Sequence, residues 1–153
     1  MPYIPKEERK DLLLSYYNRL IAKDSKIYEK AAISWARYEA NCSTFLPNAS
    51  VTEEFLDVQM ALNLARIEAH YFINNLFLEE GQLLNNASKI KDIKGFIIQG
   101  RYDAICPAES AYDLANAWPN ANLRIIEASG HSSLEPPIQN ALIETMEKIK
   151  NML

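Results

Sequence analysis

Lys94-Gly95-Phe96-Ile97-Ile98-Gln99-Gly100 and Asn122-Leu123-Arg124-Ile125-Ile126-Glu127-Ala128 are the two stretches on which the fold of this sequence turns. Each is a short apolar run rich in isoleucine and bounded by glycine or turn residues, which is how a strand reads. Residues 107 to 118 lie between them with helical spacing, and Pro119-Asn120 turns the chain afterwards. Strand, helix and strand within about 30 residues make a βαβ crossover, whose strands run parallel. A last amphipathic segment, residues 138 to 152, is expected to pack on that sheet. The fold class is therefore α/β. Two parallel strands are few, because parallel sheets are normally covered on both faces and built of several strands. A lone pair leaves open edges and an apolar face, so the sequence predicts a part of a larger fold or a chain completed by a partner.

Upstream of this segment the character changes. Only 4 glycines occur in 153 residues, at positions 81, 95, 100 and 130, where roughly 7% is usual. Their absence from the first 80 residues suits helices and argues against hairpins and phosphate-cradling loops. Residues 6 to 22 place Leu12, Leu13, Tyr16, Tyr17, Leu20 and Ile21 on one helical stripe. Residues 25 to 41 do the same with Ile27, Tyr28, Ala31, Ala32, Trp35 and Tyr38, capped by Asp24 or Ser25. Ser50 with Glu53 three residues later reads as a capping box that opens a third helix of about 20 residues through Phe55, Leu62, Ala65 and Phe72. Looser chain is expected around Gly81, Asn85 and Asn86.

Lys and Arg total 16 against 20 Asp and Glu, a net charge of −4. That balance lacks the basic footprint of a nucleic-acid binder. No Cys/His cluster has zinc-ligand spacing, and Cys42 and Cys106 are too few for a disulfide scaffold. No metal and no cofactor is expected. Neither a signal peptide nor an apolar run of membrane-spanning length is present, so the expected location is cytoplasmic, with no membrane partner.

Ligands of open α/β sheets bind beyond the carboxyl ends of the strands. Asp103 follows the first strand and His131 the second, so adjacent parallel strands would deliver both to one rim. Two roles fit the pair. A carboxylate that fixes an imidazole tautomer is the base half of a nucleophilic triad; alternatively, Asp103 is a turn residue and His131 a solvated side chain.

Three stretches of this half, Gly100-Arg101-Tyr102-Asp103-Ala104-Ile105-Cys106-Pro107, Ala117-Trp118-Pro119-Asn120-Ala121 and Ala128-Ser129-Gly130-His131-Ser132, resemble the C-terminal part of proline iminopeptidases, which are α/β-hydrolases. Ile4-Pro5-Lys6-Glu7-Glu8-Arg9-Lys10-Asp11-Leu12-Leu13, Ser34-Trp35-Ala36-Arg37-Tyr38-Glu39 and Ala65-Arg66-Ile67-Glu68-Ala69-His70-Tyr71-Phe72 are similar to the helical cap of that family. The resemblance covers essentially the whole chain but about half the family's length. It implies a partial α/β-hydrolase, with residues 1–88 as helical cap and 89–153 as the C-terminal βαβα segment. It also implies Asp103 and His131 as acid and base of a Ser-Asp-His triad, and Glu39 and Glu68 as the carboxylates that bind the amino group of a peptide with N-terminal proline.

The sequence contains no Gly-x-Ser-x-Gly nucleophile elbow and no His-Gly-Gly-Pro-Gly stretch. The expectation is a fragment of a serine aminopeptidase, inactive alone, with a complementary N-terminal half or self-association supplying the rest. Ser132 and Ser133 adjoin His131 but are not expected to be nucleophiles. His70 is expected to be a hydrogen-bonded or surface histidine rather than a catalytic one, Trp35, Tyr38, Tyr71 and Phe72 are expected to be chiefly core with some able to line an apolar pocket for the pyrrolidine ring, and the two cysteines plain thiols. Two alternatives remain at this stage: a non-catalytic interaction or oligomerisation protein, and a related hydrolase of other aminopeptidase or amidase specificity.

Overall fold

The computed structural model describes residues 3–152. Among them are seven α-helices and one two-stranded parallel sheet. They divide into two compact units, residues 3–41 with 48–79 and residues 42–47 with 80–152.

The first unit is helical. After a 3-10 turn at Lys6–Glu8 come α1 (Leu12–Leu20), α2 (Ser25–Ser43), whose last two residues belong to the second unit, α3 (Ala49–Phe55) and α4 (Val58–Ile73). Two expectations need correction. The first helix starts at Leu12 rather than residue 6, because the Asp11 side chain accepts the Leu14 N–H and fixes the helix start there. The long third helix is two helices. Leu56 closes α3, and Asp57 adopts φ −58° and ψ 129° while its carboxylate caps α4 at Met60. Nor does the Ser50–Glu53 box open α3: Ser50 lies inside its first turn, and Asn48 caps it by accepting the N–H groups of Ser50 and Val51. Asp24 caps α2, its carboxylate taking the Lys26 N–H and its carbonyl those of Ile27 and Tyr28.

The helices pack through small residues. Ala31, Ala32 and Ala36 of α2 are fully buried, as are Ala61, Ala65 and Ala69, one turn apart on α4. Side chains this short let helix backbones approach closely, and Ile4, Tyr16 and Leu20 fill the remaining core. The Tyr16 hydroxyl is satisfied by Ser34 Oγ at 2.8 Å, as a buried polar group requires.

Beyond α4, where looser chain was expected, the backbone makes short helical turns. Asn75, Leu76 and Phe77 all have left-handed φ, between 49° and 57°; α5 (Gln82–Asn85) and a 3-10 turn at Ala87–Ile90 follow.

The second unit is the βαβα segment read from the sequence, with ends moved by a residue or two: β1 (Gly95–Gly100), α6 (Ala108–Ala117), β2 (Ala121–Ile126) and α7 (Pro136–Lys150). The strands are parallel, in register from Gly95 opposite Ala121 to Gly100 opposite Ile126. Helices α6 and α7 each pack on both strands. The buried cluster is small: Ile126, Ile138 and Ala141, with Ile98 against them.

Candidate active site

The strand ends create the site. Past β1 the pairing continues for two more bonds, Arg101 N–H to the Ile126 carbonyl at 3.0 Å and Tyr102 N–H to the Ser129 carbonyl at 2.9 Å. These lock the two loops side by side. Gly100 makes this possible, since a Cβ there would sit 2.0 Å from the Gly130 carbonyl oxygen.

Asp103 sits next in the chain with four donors around its carboxylate. Oδ1 accepts the Ile105 and Cys106 N–H groups at 2.9 and 2.8 Å. Oδ2 faces Gln99 Nε2 at 3.3 Å and His131 Nδ1 at 3.0 Å. The side chain is only 5% exposed against 39% for His131, so the carboxylate is shielded while the imidazole keeps an open face. A carboxylate only accepts, so the hydrogen between the two belongs to Nδ1. In the neutral ring that leaves Nε2 as the free base. This arrangement orients an imidazole for proton transfer.

The loop bearing His131 is pinned from behind. His131 and Ser132 both donate their backbone N–H to the Ser43 carbonyl, at 2.9 and 2.8 Å. Glu135 accepts the Gly130 N–H on one carboxylate oxygen at 2.6 Å and the Phe45 N–H on the other at 2.8 Å. The Phe45 and Tyr102 rings meet at 4.8 Å.

In the helical unit, Glu39 and Glu68 are both half-buried. Glu68 Oε2 accepts the indole N–H of Trp35 at 2.7 Å. The Trp35 ring stacks on Phe72 and meets Tyr16 edge-on. Trp35, Tyr16, Phe72, Leu12, Leu13 and Tyr38 line a cavity of about 330 Å³ whose one carboxylate is Glu39. An apolar box with an acidic group in its wall suits a small apolar cation. Of the aromatics expected to be chiefly core, Trp35, Tyr38 and Phe72 line this cavity, and Tyr38, Tyr71 and Phe72 are exposed rather than buried.

Among the described residues, no group of three or more His, Cys, Asp or Glu is arranged to hold a metal ion. No helix among them is long and apolar enough to cross a membrane.

The chain aligns at 44% identity over 149 residues with a proline iminopeptidase of Xanthomonas citri, which takes in 94% of this chain and 46% of that protein. This chain is related to the proline iminopeptidases. The enzyme of that name from Arabidopsis thaliana is 41% identical over 152 residues, 98% of this chain and 40% of the relative. That of Neisseria gonorrhoeae is 37% identical over 147 residues, 95% and 46% respectively. The chain spans about half the length of the curated relatives it matches, consistent with the C-terminal part of proline iminopeptidases. No family model matches it.

Within this proline iminopeptidase relative, Gln99, Glu135, Ser43 and Phe45 carry contacts that sequence reasoning missed. Gln99 had a faint signal, as a polar residue in an otherwise apolar strand. Glu135 and Phe45 had none, since 90 positions separate them.

Proposed function

We propose that this chain carries the acid and base of a serine peptidase that releases N-terminal proline from peptides. In this scheme residues 1–88 are its helical cap and residues 89–153 the C-terminal part of an α/β-hydrolase domain, working in the cytoplasm. The observation that carries the proposal is the 3.0 Å contact between His131 Nδ1 and the shielded Asp103 carboxylate, at the carboxyl ends of adjacent parallel strands. His131 Nε2 takes the proton of a serine nucleophile as it attacks the scissile carbonyl, then returns it to the leaving amine. Asp103 holds the tautomer and balances the imidazolium. Glu39, in the wall of the aromatic cavity, holds the secondary ammonium of the substrate beside side chains that suit a pyrrolidine ring, together with Glu68, which does not line the cavity but is bonded to its Trp35.

Serine and oxyanion donors must come from a segment with a Gly-x-Ser-x-Gly elbow, which these 153 residues do not contain. The test is release of proline from a proline anilide by the purified chain, alone and mixed with the N-terminal half of a relative, each beside His131→Ala. We expect no turnover by the chain alone, turnover in the mixture, and none in the mixture carrying His131→Ala. Turnover by the chain alone that His131→Ala abolishes would overturn the requirement for a second segment. A mixture that prefers alanine or leucine anilides would redirect the specificity to another aminopeptidase or amidase.

A second, non-catalytic role is favoured by one observation, the exposure of Leu142, Ile143 and Met146 along α7. Such a face fits self-association, and a monomer in analytical ultracentrifugation would exclude it.

A further inference from the structure

We infer that Glu135 is a positioning residue for His131, a bridge that sets the imidazole against Asp103; this rests on His131 being the base proposed above. Glu135 sits at the N-terminal boundary of α7, where Pro136 and Pro137 offer no N–H, and its side chain makes no capping bond. Both oxygens point backwards instead. One takes the N–H of Gly130, the residue before His131, at 2.6 Å, and the other the N–H of Phe45 at 2.8 Å. The Glu135 N–H itself donates to the Ser132 carbonyl at 3.1 Å, closing a turn immediately after the histidine.

The bridge joins two strips of backbone that already touch. Ser43 accepts from His131 and Ser132, so the 43–45 segment binds the histidine loop on one side and Glu135 fastens both from the other. Space is tight at the junction. A Cβ on Gly130 would lie 2.9 Å from the Phe45 nitrogen and 3.2 Å from Glu135 Oε2. Two charge-assisted bonds on one carboxylate, at a site without room for slack, fix the backbone from which the imidazole projects. Gln99 and the Asp103 turn fix the other partner. The Asp–His distance is therefore held from both ends.

Glu135→Gln is the informative substitution. It keeps shape, but an amide has one acceptor oxygen and turns an N–H toward the second backbone N–H. With the isotopically labelled full chain, the readout is the Nδ1 proton resonance of His131. We expect a downfield, slowly exchanging signal in the parent, its loss in a folded Glu135→Gln variant, and its retention in Glu127→Gln, which removes a nearby carboxylate outside the bridge. A folded Glu135→Gln that keeps the signal unchanged would overturn the inference. Exchange of the Gly130 and Phe45 amides in the parent decides the matter if the variant does not fold: protection of both supports the bridge, and free-peptide exchange of either overturns it. Absence of the Nδ1 signal in the parent itself would count against the Asp103–His131 pairing, while the amide exchange still decides the bridge.

Discussion

The helical unit and the α/β unit solve the same problem with unequal means. The first buries ten apolar residues in one cluster, six of them alanines at helix contacts, with Ile4 and Leu20 fully out of water. The second gathers three, Ile126, Ile138 and Ala141, beneath a sheet with an open edge on each strand. Helices satisfy their own backbone groups and need only one covered stripe, so they close among themselves. Parallel strands need neighbours on both edges and layers on both faces. The difference teaches that the second unit closes with little apolar cover of its own, and that a tight set of its polar contacts gathers where Asp103 and His131 meet.

The sharpest way to break the comparison is to separate chemistry from recognition. In the reconstituted enzyme, His131→Ala should lower kcat about a million-fold and Asp103→Asn about 10,000-fold, through the wrong imidazole tautomer. Glu68→Gln, in the other unit, should act mainly through KM. Equal effects on kcat would erase the distinction. Next in size is stability. Leu20→Ala should cost about 3 kcal/mol, and Ile126→Ala, in the thinner core, nearer 2 kcal/mol, measured by thermal unfolding. The reverse order would mean that the small cluster is the better packed. Gly100→Ala forces a methyl group onto the Gly130 carbonyl and should cost about 1–3 kcal/mol, with loss of the His131 Nδ1 signal. Asn48→Ala should cost about 1 kcal/mol, while Ser50→Ala should change little.

That last pair marks how far the sequence could be read. The two strands, their parallel pairing and the helix between them were legible because β-branched runs and turn residues act locally. So was the placement of Asp103 and His131 at one rim, which follows from strand adjacency. The start of α3 was misplaced because Asn48 and Ser50 are both good caps, and only the backbone geometry after Pro47 chooses between them. The break at Asp57 was hidden because α3 and α4 share one apolar rhythm across it. Gln99 donates to the Asp103 carboxylate, while the Ser43 carbonyl and the Glu135 carboxylate accept backbone N–H groups, and no side-chain pattern announces those last bonds.

The smallest expected effect concerns pH. The Arg124 guanidinium, hydrogen-bonded to Glu144 at 2.6 Å, holds that carboxyl below the usual glutamate range. A depressed carboxyl stabilises the fold above its unfolded value and loses that contribution as pH falls through the folded one. Glu144→Gln should therefore cost a slight amount of stability at neutral pH and none at low pH, where the carboxyl is protonated in the parent too, a small effect because both partners face water.

The Glu135 bridge also has a consequence in time. Phe45 leaves the ribosome 90 residues before the carboxylate that will hold it, an interval of about 5–20 s at ordinary rates of synthesis. Throughout it Phe45 and Leu46, both exposed apolar side chains even in the finished fold, wait without the histidine loop. The helices on either side, α2 and α3, are complete in sequence well before that carboxylate exists, so the Phe45 corner can close only once Glu135 has been made.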